Sequence, residues 1–207
     1  IRSCLVGSEM CIRDRYTDGM VAQIARRKLE EFADSQVPFF LAVGFFRPHT
    51  PFLAPSKYFD FHPLEGIDVP NREEDSWRDL PQPAQRSLRA KSSQLDLSID
   101  TAKAIIQAYR ASVSFVDAQV GQVLDALKKT GLDDNTLVIF LSDHGYHLGE
   151  HGHWQKQTLF EDATRVPLIV RGMQDVIPGS IAGQPVELID LFPVSYTHLT
   201  LPTIFRV

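Results

Sequence analysis

The sequence predicts an α/β fold in which a mostly parallel sheet is flanked by helices. Three observations carry this expectation. Phe39 to Phe46 (FFLAVGFF) is an unbroken apolar run of strand length. Such a run suits a strand buried on both faces, as in parallel sheets covered by helices. Further on, Ile106, Tyr109, Val113, Val116, Val120, Val123 and Leu127 alternate spacings of three and four. That is one apolar stripe along a helix of about six turns. A second apolar run, Thr136 to Ser142 (TLVIFLS), follows that helix after the loop Leu132 to Asn135.

Taken in order, Tyr16 to Ser35 predicts a helix whose buried face is Met20, Ile24, Leu29 and Phe32, with Thr17 or Asp18 as its cap. The Phe39–Phe46 strand comes next. Arg47 to Gln94 contains Pro48, Pro51, Pro55, Pro63, Pro70, Pro81 and Pro83. Prolines this dense exclude long helices and central strands. The aromatics Phe52, Tyr58, Phe59, Phe61 and Trp77 in this stretch predict an ordered loop; as a group they suit core packing or a sugar pocket. The long helix then ends with Lys128 and Lys129 in its last turn and Gly131 beyond it. After the Thr136–Ser142 strand, a short helical stretch is expected near Leu159 to Ala163. A third strand is expected at Val166 to Val170, and a final helical turn at Pro185 to Phe192.

The two ends differ from this pattern. Residues 1–15 (IRSCLVGSEMCIRDR) and 194–207 (VSYTHLTLPTIFRV) follow neither helix nor strand period. Both resemble translated sequencing-adapter DNA and are set aside, leaving 16–193 as a partial domain. The alternative is a natural frayed end on each side. Cys4 and Cys11 both fall in the first tail, so cysteine usage supports no disulfide framework. A net charge of -5 offers no basic footprint for nucleic acid. No apolar run approaches the roughly 18 residues that cross a bilayer, and no membrane partner is expected.

Ligands of open parallel sheets bind beyond the carboxyl ends of the strands. Two polar clusters stand there, Arg47-Pro48-His49-Thr50-Pro51 and Ser142-Asp143-His144-Gly145. Asp143 can offer a carboxylate oxygen to a hard cation and His144 a ring nitrogen. A helix-capping Asp beside a surface His is the other reading, and the residues alone leave both open. Gly145 permits a tight turn or a close backbone approach. His147, His151 and His153 suit a hydrogen-bonded loop. His147-Leu148-Gly149-Glu150-His151 spells H-x-x-E-H, a zinc-hydrolase pattern that needs a helix, but Gly145, Gly149 and Gly152 oppose one. Lys156 can place a compact positive charge on an anion, although by composition it is an ordinary surface lysine.

Three stretches together carry a resemblance to a known family. Leu141 to Val170 (LSDHGYHLGEHGHWQKQTLFEDATRVPLIV), Phe39 to Pro55 (FFLAVGFFRPHTPFLAP) and the helix through SVSFVDAQVGQVLDAL resemble, in order, motifs of the sulfatases. The likeness is to the iduronate-2-sulfatase-like branch of the alkaline-phosphatase-like superfamily, and it covers about Tyr16 to Pro193. It implies a sulfuric-ester hydrolase acting on a sulfated carbohydrate or another sulfate ester. It further implies that Asp143 and His144 ligate a divalent cation, calcium in most members. His49 would contact sulfate and protonate the departing oxygen, and Lys156 would contact the sulfuryl oxygens. Arg47, Tyr146 and Trp154 would lie on the substrate side. The family's habitual location is periplasmic, secreted or lysosomal. The family nucleophile is a formylglycine made within C/S-x-P-S/A-R, and no such string occurs in these 207 residues. The paired Asp and the Lys/His pair that complete the family's site are also missing, so the chain is expected to be an incomplete, inactive piece. Two other functions compete: a phosphodiesterase or phosphonate hydrolase of the same superfamily, or a non-catalytic binding remnant.

Overall fold

In the computed structural model, residues 16–35, 37–70, 79–88, 94, 97–172 and 177–191 are described. Both tails, Cys4, Cys11, Trp77 and Phe192 lie outside them. Helix α1 spans Thr17–Ser35. Its buried side is Asp18, Gly19, Ala22, Ala25 and Leu29, whereas Met20 and Ile24 are about half exposed. This corrects the expected face. The small residues Ala22 and Ala25 let α1 come close to the long helix, so they, not the larger Met20 and Ile24, line the contact. Phe32 keeps its predicted inward role by stacking on Phe39, with ring centroids 4.6 Å apart.

The proline-rich stretch forms 3₁₀ turns at Ser56–Tyr58 and Leu64–Gly66 and a short helix α2 at Gln82–Ser87. Its described aromatics serve mostly as core. Tyr58 is buried and Phe59 partly buried beside Phe115, while Phe61 remains largely exposed.

Helix α3, Ile99–Lys129, is the spine of the molecule. Ser98 caps it by accepting from the Thr101 amide, and Gly131 follows in the left-handed region at φ 71°, where a Cβ would be strained. Along its length α3 meets three apolar clusters. Near its start Ala102 and Ile106 pack with Ile67 and Trp154. At its middle Ala111 and Phe115 pack with Ala54 and Tyr58. Near its end Ala126 and Leu127 pack with Leu29, joined by Phe39, Leu41 and Val138. The valine stripe is therefore only partly the buried face, and Val113 is 40% exposed. Ser112 and Gln119 are buried instead because their polar atoms bond backward along the helix, Ser112 to the Ala108 carbonyl and Gln119 to that of Phe115.

Strands β1 (Val138–Leu141) and β2 (Leu168–Arg171) pair antiparallel, Val138 opposite Arg171 and Leu141 opposite Leu168. The expected parallel arrangement is not what these two strands adopt, and the intervening chain explains why. Its backbone bonds are nested: Gly145 to Ala163, His147 to Gln155 and Gly149 to His153. The segment thus folds back on itself and returns β2 to the end that β1 left, which forces antiparallel pairing. The expected helical stretch here is the single turn α4, Glu161–Thr164. A 3₁₀ turn at Leu188–Asp190 stands within the predicted final helical turn.

Phe39–Phe46 is extended but joins no ladder among the described residues. Its burial alternates: Phe39, Leu41, Val43 and Phe45 are half-buried, while Phe40 is 92% exposed. One face lies on the helices and the other is bare, in contrast to the two-sided burial expected of it.

Candidate functional site

The nested segment between β1 and β2 places Asp143, His144 and Lys156 in one hairpin-like excursion. Asp143 leaves the end of β1 with its side chain 81% exposed, and its Oδ1 accepts the His144 amide at 3.0 Å. His144 Nδ1 donates to the Gly145 carbonyl at 2.8 Å, since a carbonyl oxygen can only accept. In the neutral ring this leaves the lone pair on Nε2, which lies 3.5 Å from Asp143 Oδ2. Two donors side by side, one ring held by a backbone carbonyl, suit one edge of a cation's coordination shell. Two are too few to hold an ion alone. Among the described residues no group of three or more His, Cys, Asp or Glu is arranged to hold a metal.

Gly145 is required by close approach. A Cβ there would lie 2.1 Å from the Asp162 carbonyl oxygen, and its amide bonds the Ala163 carbonyl at 2.8 Å. This locks the Asp143–His144 turn onto α4. His147 and His153 stiffen the hairpin from inside. His147 is fully buried, with Nε2 bonded to Thr158 Oγ1 at 2.8 Å and Nδ1 3.7 Å from Asp162 Oδ2. Burial pushes its pKa down to about 4; His153 and His151 push the same way, and Asp162 opposes them. Burial also lowers His153, whose ring meets His147 edge-on at 4.9 Å. The hydrogen-bonded-loop reading thus describes His147, whereas His151 packs against Phe160. No helix runs through H-x-x-E-H, because Gly149, His151 and Gly152 all have positive φ.

The loop carrying His49 meets this hairpin through aromatic rings. Phe52 packs edge-on against Tyr146 at 5.8 Å and Tyr109 at 5.5 Å, and Tyr109 stacks on Tyr146. Burial raises both tyrosine pKa values, with Tyr146 and Glu150 adding to the effect at Tyr109. His49 itself is exposed and bonds through Nδ1 to the Thr50 carbonyl at 2.7 Å, leaving Nε2 outward-capable. Arg47 spends its guanidinium on the loop, donating to the Leu53 and His49 carbonyls. Lys156 is half-buried, and its ammonium has no hydrogen-bond or ion-pair partner among the described residues. Trp154 is 3% exposed and packs with Ile67, Ala102 and Ile106. Tyr146 is half-buried beneath Phe52.

One residue not singled out for the site is tied closely to it. Asp18, 1% exposed, accepts the amides of Phe46 at 2.7 Å and Arg47 at 3.0 Å. Its place in the first helical turn reads locally as a cap, and the distant partners leave no mark on the local pattern.

The Sulfatase family model matches residues 7–201. A sulfatase of Formosa agariphila is 42% identical over 75% of this chain and 31% of its own length. Human iduronate 2-sulfatase is 37% identical over 85% of this chain and 33% of its own length. Among solved structures, a phosphonate monoester hydrolase from Silicibacter pomeroyi superimposes with a TM-score of 0.77 at 25% identity, over 89% of this chain and 38% of the other. The chain therefore spans about a third of the length of the curated relatives it matches. By a family match that runs through both strand ends, the hairpin and α3, the chain belongs to the sulfatase family.

Proposed function

We propose that this chain supplies part of the site of a sulfuric-ester hydrolase acting on a sulfated sugar, within a longer polypeptide. The single observation that carries the proposal is the pair Asp143 Oδ2 and His144 Nε2, 3.5 Å apart at the tip of β1. The iduronate 2-sulfatase relative supports the choice of substrate class. In this reading Asp143 and His144 hold a divalent cation, with calcium the expected ion and the remaining ligands supplied from outside the described residues. When bound, such a cation stabilises negative charge on the sulfuryl oxygens. Lys156, without a partner in the hairpin, adds a second positive charge toward the same oxygens. His49 donates through Nδ1–H to the Thr50 carbonyl, so Nε2 gives a proton to the bridging oxygen, as the S–O bond breaks, from the doubly protonated ring. Tyr146 is the remaining substrate-side candidate, because Arg47 binds its own loop and Trp154 is core. The formylglycine nucleophile is assigned to sequence beyond these 207 residues, none of which form C/S-x-P-S/A-R.

The test uses the complete polypeptide and this chain alone, assayed on 4-nitrophenyl sulfate with calcium and after chelation. Turnover by the complete protein, lost on chelation and lowered at least about 100-fold by Asp143→Asn or Lys156→Ala, is expected. Turnover by the 207-residue chain alone would sink the assignment of the nucleophile. A second reading, phosphonate monoester hydrolysis, is favoured by the Silicibacter pomeroyi neighbour. Faster cleavage of a 4-nitrophenyl phosphonate monoester than of the sulfate would establish it instead.

A further inference from the structure

We propose that Asp18 is a positioning residue for His49, acting by gripping the backbone that leads into the His49 turn. The inference rests on the reading of His49 as proton donor. A carboxylate buried to 1% exposure is costly unless its oxygens are hydrogen-bonded. Here each oxygen takes one amide, Oδ1 that of Phe46 and Oδ2 that of Arg47. The positive end of α1 supplies further compensation, because Asp18 lies in its first turn.

The grip bears on two consecutive residues immediately before Pro48 and His49. From the gripped segment, three further contacts reach His49, the first being its own amide donating to the Phe46 carbonyl at 3.0 Å. The Phe46 ring lies 4.8 Å from the His49 ring. The Arg47 guanidinium donates to the His49 carbonyl at 3.2 Å and the Leu53 carbonyl at 2.9 Å, closing the loop on itself. Asp18 is thus the point at which this loop is fastened to α1, which is itself packed against α3. A proton donor must be held within a fraction of an ångström of the leaving oxygen to be effective. Loosening the grip therefore impairs proton donation before it impairs binding of the anion by Lys156 or the cation site, which belong to a different segment.

The discriminating experiment compares two esters in the complete polypeptide. 4-Nitrophenyl sulfate has a leaving group that needs little protonation, whereas an alkyl sulfate needs a proton donor. His49→Ala is expected to lower kcat on the alkyl sulfate by at least about 100-fold and on the aryl sulfate by less than about tenfold. Asp18→Asn, which keeps one acceptor oxygen, and Asp18→Ala are expected to show the same split, about tenfold or more on the alkyl ester with little change on the aryl ester. Adding Asp18→Ala to His49→Ala should bring no further split. The ratio of the two rates does not depend on the fraction of molecules folded, so a destabilised variant still reports. Equal losses on both esters in the Asp18 variants, beside a split in His49→Ala, would overturn the positioning role. No split in His49→Ala would overturn the proton-donor assignment, and the positioning role with it.

Discussion

Acidification should loosen the hairpin that carries the candidate site, and His147 sets the scale. Its ring is fully buried between Thr158, His153, Asp162 and Phe160. Burial, His153 and His151 lower its pKa from 6.5 to about 4, against the pull of Asp162. The unfolded chain therefore takes up the proton first as pH falls. The stability tied to the neutral ring is whole above about pH 6.5, declines between 6.5 and 4, and loses no more below that. At about 1.4 kcal/mol for each pH unit, the full loss is about 3 kcal/mol, and about 2 kcal/mol is reached near pH 5. Against the 5–15 kcal/mol typical of a whole domain, this is a large fraction. Urea unfolding measures it, with the fluorescence of Trp154, buried in the same hairpin, as reporter. His147→Gln removes the titration of this ring together with its coupling to His153, while the other titratable groups remain in both proteins. The stability of the native sequence relative to His147→Gln should fall by about 2 kcal/mol between pH ~7.5 and pH ~5. A difference that stays constant to within about 0.5 kcal/mol across that range would refute the reasoning, since it would mean that the buried ring does not resist protonation.

Three further predictions concern packing. Gly145→Ala places a Cβ 2.1 Å from a backbone oxygen that cannot rotate away. It should cost about 1–3 kcal/mol in thermal unfolding, because the Asp143–His144 turn must leave α4, and should weaken the divalent-cation binding proposed for that turn in the complete polypeptide. Phe115→Ala, in the cluster with Tyr58 and Ala54, should cost about 3–5 kcal/mol by denaturant unfolding. Val113→Ala, one of the stripe residues read from periodicity, is 40% exposed and should cost under about 1 kcal/mol. Equal costs would show that the valine stripe, not the Phe115 side, is the buried face.

Local features were legible because their causes are local. The spacing of apolar residues and the Lys128-Lys129-Gly131 ending placed α3. The glycines at 145, 149 and 152 opposed a zinc-binding helix in H-x-x-E-H, and the left-handed backbone at 149, 151 and 152 agrees. Which face a helix buries was less legible. Met20 and Val113 satisfy the helical period and still face water, because the buried arc depends on what packs there, and small alanines permit the closer approach.

The sequence by itself determined where α1 and the body of α3 run, that two short apolar strands flank a glycine-punctuated turn, and which side chains have the chemistry for a cation and an anion. Only the tertiary structure decided that β1 and β2 run antiparallel, that Trp154 is core, that Phe52 joins the His49 loop to Tyr146, and that Asp18 fastens the loop. The physical reason is range. Helical period, caps and turns are set by residues a few positions apart, whereas the Asp18–Phe46 bond spans 28 positions and exists only once α1 and the extended segment have docked.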